Sequence, residues 1–337
     1  MQSVPKLSDR DQLLQVAHGF RMSQALYVVA KLGIPDLLRD GPKTSEELAR
    51  RANAHPRSLF RVLRALAALG FFTQDASKRF GLTPKTQLLR SDIPDSVRPM
   101  ILFLGEGQYR ASEELLHTVR TGETSFDHLH GMGHFEYLSR NPEASATFNA
   151  AMASGLRQSE NPLDRYDFSG RHLVVDVGGG RGDQIASILR ANPKMKGILY
   201  DLPQVADDAR AFLKASGVAD RCELMTGSAF ESIPRGADVY IMSRVLHDWP
   251  DEKAALLLVN CRKAISEDGI LLIRDGVLPD SGGSPQATQM DLTMLIMTGG
   301  LERSDGEWRS LLRAAGFDVA NVQRTSSPFD LIEAKPV

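Results

Sequence analysis

The segment that most constrains this chain is an apolar run that ends in an acid and then in glycines. Residues 174–182 read Val-Val-Asp-Val-Gly-Gly-Gly-Arg-Gly, and an apolar helical pattern follows over 184–189. Glycines carry no side chain, so a turn built from them lets the backbone approach a ligand closely. The helix N-terminus behind the turn offers free N–H groups and a positive dipole. The segment therefore predicts a strand, a ligand-binding turn and a helix, although a merely tight turn is the plainer alternative.

The spacing of the glycines separates two classes of ligand. A dinucleotide-binding turn has the pattern G-x-G-x-x-G, and counted from Gly178 its third glycine falls at position 183, which is Asp183. Here the glycines alternate as Gly178, Gly180 and Gly182, and Asp176 precedes them. Acids at both edges of the turn repel a pyrophosphate and attract a cationic amino-acid ligand. S-adenosylmethionine is such a ligand, because it carries an ammonium, a sulfonium and an adenosine but no phosphate.

The next predicted strand, 197–201, ends in a second acid. Asp201 stands nineteen residues past Gly182. An acid about twenty residues beyond the glycines is where ribose hydroxyls are held. A carboxylate that merely caps a turn or a helix is an equal alternative for Asp201 alone. Together with the glycine turn, it favours an adenosine-containing ligand.

A histidine follows the fourth strand of the series. Residues 243–250 read Ser-Arg-Val-Leu-His-Asp-Trp-Pro directly after the strand 238–242. Ligands of open α/β sheets bind at the carboxyl ends of the strands, so we expect His247 at the same edge as the glycine turn. Two acids can share that site, Asp275 after the strand 269–273 and Glu302 after a Gly-Gly pair. Asp248 is a better candidate for contacting substrate than for orienting the imidazole. A structural role is the alternative for a lone histidine.

At these segments the chain resembles the small-molecule O-methyltransferases of plant-phenol and bacterial-antibiotic type. The resemblance runs from about residue 10 to residue 337 and rests on four motifs in order, DVGGGRG at 176–182, DLP at 201–203, LHDW at 246–249 and GGLER at 299–303. It implies that His247 is a general base aligned by Glu302 and Asp275, and that Asp201 binds the ribose. One departure is the segment 227–230, Gly-Ser-Ala-Phe, where the family usually carries an acid near the adenine. Ser228 can still form a hydrogen bond there, and Phe230 can stack on the base.

The candidate binding residues fall into two sets. The predicted cofactor contacts follow the strand ends: Asp176, Gly178, Gly180, Gly182, Asp201, Leu202, Ser228, Ala229, Phe230, Ser243 and Arg244. Three of the predicted acceptor contacts lie in the second half of the chain: Asp248, and Met294 and Thr298 of a Met-rich helical face. Four more come from the helical part that precedes the methyltransferase-like segments: Phe103, Tyr109, Phe148 and Met152. A Met-rich face adapts to irregular flat ligands, but ordinary core packing explains it equally well. By resemblance we expect a phenolic secondary metabolite such as a polyketide, a phenazine or a flavonoid-like compound, with S-adenosyl-L-homocysteine as the other product.

From residue 171 onward strands and helices alternate at βαβ spacing. Strands are predicted at 173–177, 197–201, 222–226, 237–242, 269–274, 317–323 and 329–334. The last two are joined by a connection too short for a parallel crossover, so they must form an antiparallel hairpin. The predicted fold is a class I methyltransferase domain, Rossmann-like, with a mostly parallel seven-stranded sheet over 166–337. It follows a winged-helix dimerisation domain over 1–95 and a helical linker over 96–165 that contributes to the substrate pocket.

The first domain shows a winged-helix pattern. Residues 9–32 form an amphipathic helix, Thr44 and Glu47 have capping-box spacing, and a helix over 57–69 precedes a predicted hairpin. Arg57, Arg61 and Arg64 lie on one face of that helix, as in a DNA-recognition helix. A solvated face opposite buried leucines is the favoured interpretation. By resemblance this domain forms a homodimer and covers the active site.

Composition excludes several classes. The chain has 337 residues and a net charge of −2, which gives no general attraction to nucleic acid or anionic membranes. It has no apolar run of the ~18 residues that a spanning helix needs, and residues 1–6 lack an apolar signal core.

Two cysteines make neither a disulfide framework nor a zinc pattern. Among the histidines at 128, 130 and 134, Gly131 and Gly133 break the helix that would present His130 and His134 together, and no closing ligand pattern is nearby, so no metal is expected. We expect a reduced, cytoplasmic protein.

The choice of base follows from proton-transfer energetics. Moving a proton from a phenol of pKa ~10 to a histidine of pKa ~6.5 costs nearly 5 kcal/mol, against nearly 8 kcal/mol for a carboxylate of pKa ~4.3. His247 is therefore the expected base, and no metal is needed. Three alternatives stay open: an N-methyltransferase acting on an aromatic heterocycle, a winged-helix regulator that senses a ligand through a methyltransferase-like domain, and a nicotinamide reductase, which the glycine spacing disfavours.

Overall fold

A computed structural model describes residues 7–158 and 161–337 of the chain. The contacts between residues divide it into two compact units. The first comprises residues up to 109 together with 146–157, and the second comprises 110–145 together with 158–337. Residues 1–6, where no signal core is expected, lie outside the described part. No helix of the described residues is long and apolar enough to cross a membrane.

In chain order, the helices are Asp9–Lys31 (α1), Ile34–Leu37 (α2), Ser45–Ala52 (α3), Pro56–Ala68 (α4), Pro84–Gln87 (α5), Arg98–Phe103 (α6), Tyr109–Ser112 (α7), Leu115–Thr121 (α8), Ser125–His130 (α9), His134–Arg140 (α10), Pro142–Gln158 (α11), Asp183–Ala191 (α12), Ala206–Ala215 (α13), Asp251–Ala264 (α14), Pro285–Met297 (α15) and Asp305–Ala314 (α16). A π-helical turn, Leu104–Gln108, and short 3-10 turns at Pro162–Asp164, Pro203–Val205 and Leu246–Asp248 complete them.

The strands are likewise numbered along the chain: Phe72–Gln74 (β1), Phe80–Leu82 (β2), Leu173–Val177 (β3), Lys196–Asp201 (β4), Cys222–Thr226 (β5), Val239–Ser243 (β6), Ile270–Asp275 (β7), Val277–Leu278 (β8), Arg303–Ser304 (β9), Phe317–Gln323 (β10) and Asp330–Pro336 (β11).

The first unit has the helices and the hairpin that the sequence predicts. Thr44 caps α3 with a complete capping box closed by Glu47, and β1 pairs with β2 in antiparallel register. Leucines of α4 are buried in the core of this unit, whereas the three arginines of the same helix, Arg57, Arg61 and Arg64, are exposed. That arrangement matches the favoured interpretation of a solvated face opposite a leucine-rich core side.

Helix α1 is only partly covered within its own chain. Its buried residues, Val29 and Ala30, are at its C-terminal end. In its first half the side chains are exposed, and Leu13 and Val16 expose 73% and 83% of their surface. An apolar face of this kind on a folded chain indicates a surface for a partner.

The second unit is built around the predicted seven-stranded sheet. Its order is β10-β11-β7-β6-β3-β4-β5, with β7, β6, β3, β4 and β5 parallel. Strand β11 runs antiparallel to both β7 and β10, which confirms the predicted hairpin at the end of the sheet. The observed strand ends differ from the predicted ones by at most two residues. The class I methyltransferase fold is thus confirmed.

Alternate residues of the central strands separate two hydrophobic cores. Val175 and Val177 of β3 face one core, to which α14 and α16 contribute, and Val174 faces the other, to which α12 and α13 contribute. A strand covered on both faces is apolar along most of its length, and β3 is apolar except for Asp176 near its end. Because the five parallel strands all end at one edge, the loops after Val177, Asp201, Ser243 and Asp275 come together there.

Candidate active site

The catalytic candidates converge on one buried histidine. The chain leaves β6 at Ser243, passes through Arg244 in a left-handed conformation with φ 57° and forms a short 3-10 turn that contains His247. The imidazole Nδ1 lies 2.6 Å from Oε1 of Glu302. Both side chains are almost fully buried, with 5% and 1% of their surfaces exposed. The structure thus brings His247 and Glu302 together, although the residues are 55 positions apart in sequence.

Asp275 lies beside the same histidine but bonds to its backbone rather than to its ring. Its Oδ2 accepts hydrogen bonds from the backbone N–H groups of Leu246 and His247, at 3.2 and 3.3 Å. Its Oδ1 has no hydrogen-bond partner among the described residues. Asp275 therefore fixes the turn that carries His247, while Glu302 fixes the ring. The sequence indicated both acids but did not separate these two roles.

The surrounding charges alter the basicity of His247. Burial lowers the pKa of the imidazole, but the negative charges of Asp275 and Glu302 and the hydrogen bond to Glu302 outweigh it and raise the pKa to about 10. Burial in turn raises the pKa of Asp275 to about 7, against the attraction of His247. The carboxylates thus stabilise an imidazolium at His247.

Asp248 lies on the other side of the imidazole. Its Oδ1 is 3.9 Å from Nε2 of His247, and its side chain exposes 19% of its surface. Burial raises the pKa of this carboxyl to about 6, opposed by His247 and Arg244. A molecule that approaches Nε2 of His247 therefore also meets a carboxylate that can accept a hydrogen bond.

The predicted glycine turn follows β3 at the same edge of the sheet. Gly178 and Gly180 adopt positive φ, 70° and 58°, which other residues rarely adopt. A Cβ atom on Gly178 would lie 2.9 Å from Val245, two residues before His247, whereas one on Gly180 would meet nothing within 4 Å. The turn thus packs against the histidine loop on one side and has open space on the other.

Asp176 near the end of β3 and Asp201 at the end of β4 lie beside the glycine turn but differ in their surroundings. Asp201 accepts hydrogen bonds from the backbone N–H groups of Gly180 and Leu202, both at 2.6 Å, and so joins the end of β4 to the turn. Both carboxylate oxygens of Asp176 are buried without a hydrogen-bond partner among the described residues. Burial, and then the charge of Asp201, raise the pKa of Asp176 to about 7, although the neighbouring backbone N–H of Ile185 acts to lower it. An unpaired buried carboxylate fits a cationic group of a ligand.

The arrangement is a poor fit for a pyrophosphate. Arg181, the cation of the turn, is paired with Asp183 through two hydrogen bonds of 2.7 and 2.9 Å. The residues present therefore fit the cationic amino-acid group of S-adenosylmethionine better than a dinucleotide.

The predicted adenine segment, 227–230, lies beside the histidine loop. Its backbone is held by Asn260, whose side chain donates hydrogen bonds to the carbonyls of Ala229 and Phe230. Phe230 packs edge-on against Trp249 with ring centroids 4.8 Å apart. Ser228 accepts backbone hydrogen bonds from Glu231 and Ser232 through its carbonyl. Ser243 contributes a buried hydroxyl without a hydrogen-bond partner in the described part of the chain.

The predicted acceptor residues divide between the two units. Met294 is buried on α15 and Thr298 follows that helix in the second unit, where its hydroxyl accepts a hydrogen bond from Gly300. Phe103, Tyr109, Phe148 and Met152 are half-buried residues of the first unit. Phe103 and Phe148 contact each other edge-on at 5.6 Å.

Several residues of the site carry no signal in the sequence. Asp291 of α15 accepts a hydrogen bond from the backbone N–H of Glu302 at 2.9 Å. A Cβ atom on Gly276 would lie 2.1 Å from the Glu302 carboxylate, and one on Gly300 would lie 1.9 Å from the His247 carbonyl. The ring of Phe329 lies 5.9 Å from that of His247. These contacts join segments that are distant in the chain, so the sequence does not predict them. The Gly-Gly pair at 299–300 is the one signal among these residues that the sequence itself contains.

A separate cluster has metal-ligating side chains. Ligand atoms of His117, Glu123 and His128 lie within 4.8 Å of one another. The two imidazoles are stacked, with centroids 3.6 Å apart and planes inclined by 12°. A ligating lone pair lies in the plane of its ring, so two parallel rings cannot both direct theirs at one ion. The histidines singled out in sequence, at 130 and 134, lie on either side of the break between α9 and α10.

Comparison with known proteins identifies the family. The O-methyltransferase domain family matches residues 112–318, and the O-methyltransferase dimerisation domain family matches residues 14–92. A phenazine O-methyltransferase of Lysobacter antibioticus is 44% identical over 326 residues, which cover 96% of each chain. An O-demethylpuromycin-O-methyltransferase of Streptomyces alboniger is 38% identical, covering 97% of this chain and 89% of the other. An 8-amino-8-demethylriboflavin N,N-dimethyltransferase of Streptomyces davaonensis is 35% identical, and the match covers 98% of this chain and 96% of the other.

Solved structures agree with the sequence relatives. The crystal structure of LaPhzM superposes with a TM-score of 0.93 at 42% identity and covers 98% of this chain and 100% of the other. A second structure is an O-methyltransferase from neocarzinostatin biosynthesis in complex with S-adenosyl-L-homocysteine and 1,4-dihydroxy-2-naphthoic acid. It superposes with a TM-score of 0.84 at 33% identity, and the match covers 94% of this chain and 96% of the other. With the buried His247–Glu302 pair at the edge of a class I sheet, these likenesses show that the chain belongs to the O-methyltransferase family.

Proposed function

We propose that this protein transfers a methyl group from S-adenosylmethionine to a hydroxyl of an aromatic secondary metabolite, with His247 as the general base. The observation that carries the proposal is the buried contact of 2.6 Å between His247 and Glu302, at the sheet edge that also holds the glycine turn. The related proteins include enzymes of phenazine and puromycin O-methylation.

S-adenosylmethionine, when bound, supplies an electrophilic methyl carbon on its sulfonium. Asp176 and the turn from Gly178 to Gly182 would hold its cationic amino-acid part, and Asp201 would hold the ribose. The unpaired carboxylate of Asp176 supports this assignment. So does the related structure that contains S-adenosyl-L-homocysteine. The segment 227–230, together with Ser243 and Arg244, would line the adenine side.

His247 has the surroundings that a base for a phenol needs. In the neutral imidazole the Nδ1–H group donates a hydrogen bond to Glu302, which leaves the lone pair of Nε2 to accept the proton of the acceptor hydroxyl. A phenol has a pKa of ~10, so an imidazole of ordinary pKa is too weak by ~3.5 units. The neighbouring carboxylates raise the pKa of His247 to about 10. The pKa of the imidazole is then close to that of the phenol, so the proton transfer costs little free energy. The imidazolium that forms is stabilised by Glu302 and Asp275.

Helix α15 and the residue after the histidine would face the acceptor. Asp248 accepts a hydrogen bond from a donor group of the acceptor molecule, which orients it at Nε2 of His247. Met294 and Thr298 add an adaptable face for a flat ring system. The acceptor contacts predicted for the first unit, Phe103, Tyr109, Phe148 and Met152, belong to the same proposal.

The setting of the enzyme is also part of the proposal. We place it in the reducing cytoplasm, supported by Cys222 and Cys261, which are free buried thiols. The match of residues 14–92 to a dimerisation domain supports a homodimer.

Replacement of the base tests the reaction. We expect His247→Ala to lose 10²-fold to 10⁴-fold or more in kcat, the range of a general base, while the affinity for S-adenosylmethionine changes little because the glycine turn is separate from the imidazole. Product formation with a phenazine phenol is measured by mass spectrometry and cofactor binding by calorimetry. A variant that keeps its rate would show that the acceptor needs no base, as for a neutral heterocyclic nitrogen.

A second measurement tests the cofactor. Asp201→Ala should weaken S-adenosylmethionine binding by about 1–3 kcal/mol, because a ribose hydroxyl loses its acceptor. Binding of NAD without binding of S-adenosylmethionine would overturn the assignment.

A further inference from the structure

The residue after Glu302 joins the segments that carry the catalytic candidates. Arg303 is buried, with 1% of its side chain exposed. Its Nη1 donates to the carbonyl of Leu246 at 3.1 Å, and its Nη2 donates to the carbonyl of Trp249 at 2.8 Å. Its Nε donates to Oδ1 of Asp251 at 3.0 Å. One guanidinium thus spans the turn from residue 246 to residue 251, with His247 inside it.

The other side of Arg303 is fixed to the segment after Asp275. Residue 303 pairs with Val277 in the short parallel sheet of β8 and β9. Its guanidinium packs over the ring of Trp308 at 5.2 Å, and the indole N–H of Trp308 donates to the carbonyl of Gly276 at 2.9 Å. The segments that carry His247, Asp275 and Glu302 therefore meet at this one side chain.

A buried guanidinium is costly unless its donors are used. Its rigid planar fork carries donors on three separate nitrogens, whereas the three donors of a lysine share one compact nitrogen. Two of the acceptors of Arg303 are backbone carbonyls of the histidine turn, so Arg303 restrains the turn itself rather than a neighbouring side chain. Glu302 is its direct chain neighbour. A displacement of the turn relative to residue 303 would therefore change the distance between His247 and Glu302.

We propose that Arg303 is a positioning residue of this enzyme, whose guanidinium holds the 246–251 turn at the distance from Glu302 that the His247–Glu302 hydrogen bond requires. The inference rests on the proposed role of His247. It adds that the contact depends on Arg303 and is not maintained by the two residues alone.

Double-mutant cycles test this coupling. Lysine in Arg303→Lys keeps the charge but lacks the three-way fork, and we expect kcat to fall on the order of 10-fold to 100-fold, as a small misplacement of reacting groups does, with KM within about threefold. In the Glu302→Ala background, which has no side-chain acceptor for Nδ1, the same substitution should change kcat less than about threefold, because the contact it serves is already lost. Equal losses in both backgrounds would overturn the proposal.

A milder variant covers the case in which Arg303→Lys folds poorly. Asp251 is 67% exposed and supplies one of the three acceptors, so Asp251→Ala removes a single contact from a surface position. Its matched control is Glu252→Ala, which removes an acid from the same first turn of α14 without touching Arg303. We expect a lower kcat only for Asp251→Ala. Equal kcat in both variants, with normal melting temperatures, would count against the proposal.

A spectroscopic measurement separates positioning from general stability. The imidazole proton shared by His247 and Glu302 should give a far-downfield proton resonance, since short hydrogen bonds to charged groups are strong. We expect this resonance to shift upfield or vanish in Arg303→Lys and to remain in Arg309→Lys, a change at an exposed ion pair on α16. An unchanged resonance in Arg303→Lys would refute the inference. Full activity of His247→Ala would instead refute the proposed function itself.

Discussion

Nδ1 of His247 and Oε1 of Glu302 lie 2.6 Å apart in a place where both side chains are shielded from water. The turn after β6 supplies one partner and the turn after α15 supplies the other. Because Asp275 holds the backbone of His247, the residue is fixed at two points, at its backbone by Asp275 and at its imidazole by Glu302. The pH dependence of the reaction should report this arrangement.

Glu302→Gln should lower both the pKa of His247 and the reaction rate. The Glu302 charge raises the pKa of the imidazole, so its removal moves that pKa toward the ordinary value of ~6.5. In the proposed reaction, the productive complex holds one proton between the imidazole and the acceptor oxygen. With a phenol of pKa ~10, the acidic limb of kcat/KM should therefore lie well above pH 7 in the parent enzyme and at lower pH in the variant.

The measurement is a pH–rate profile with one accepted phenol. Glu267→Gln, at an exposed carboxylate, is the control and should leave the profile unchanged. Identical acidic limbs in the parent enzyme and Glu302→Gln would contradict the electrostatic role of Glu302.

Asp176→Asn should stabilise the ligand-free protein at alkaline pH and weaken its binding of S-adenosylmethionine. Burial raises the pKa of Asp176 to about 7, above its value in an unfolded chain. Its contribution to stability is therefore fully present below about pH 4 and is lost as the pH rises through 7. The neutral amide does not ionise, so the melting temperature of the variant relative to the parent should rise between pH 5 and pH 8. A pH-independent difference would disprove the raised pKa of this carboxyl.

Gly276→Ala should reduce activity through Glu302. A Cβ atom there would lie 2.1 Å from Oε2 of Glu302, so the carboxylate must move away from its place against His247. Overpacking of this kind costs about 1–3 kcal/mol of stability. The control is Gly306→Ala in α16, where an added Cβ meets nothing within 4 Å and alanine favours the helix. Melting curves and initial rates should separate the two variants, and unchanged kinetics for Gly276→Ala would argue against this close approach.

The exposed face of α1 should be a dimer contact. Val16→Glu places a charge at an apolar side chain that exposes 83% of its surface, and we expect it to weaken self-association. Light scattering should give about twice 37.0 kDa for the parent chain and a lower mass for the variant. Leu256→Glu, at an apolar residue of α14 with 44% exposed surface, should keep the parent mass. A monomeric parent chain with full activity would contradict the homodimer.

The sequence predicts the sheet well because each strand has local signals. The alternation of strands and helices from residue 171 onward predicts a mostly parallel sheet, and the short connection after β10 predicts the hairpin at its end. Thr44 and Glu47 likewise define their helix start within four residues. The domain bounds at 95 and 165 stay a prediction.

The site is less accessible to such reasoning. His247, Asp275 and Glu302 are chemically conspicuous, but the different roles of the two acids depend on angles between segments far apart in the chain. Arg303 has an ordinary basic side chain in the sequence and three buried hydrogen bonds in the structure. Asp291 gives no local signal at all. Side chains that act through tertiary contacts cannot be distinguished from surface residues by spacing alone.

Helix α15 combines two tasks that evolution would need to change independently. Its Met294 belongs to the proposed acceptor face, while its Asp291 holds the backbone of Glu302. A chimera that receives this helix from a relative with another acceptor would change both the proposed acceptor face and the residue that holds the backbone of Glu302. Substrate range is therefore best altered at Met294 and Thr298 with Asp291 retained. Grafts of the whole helix that omit this aspartate should change the acceptor preference but also lower kcat.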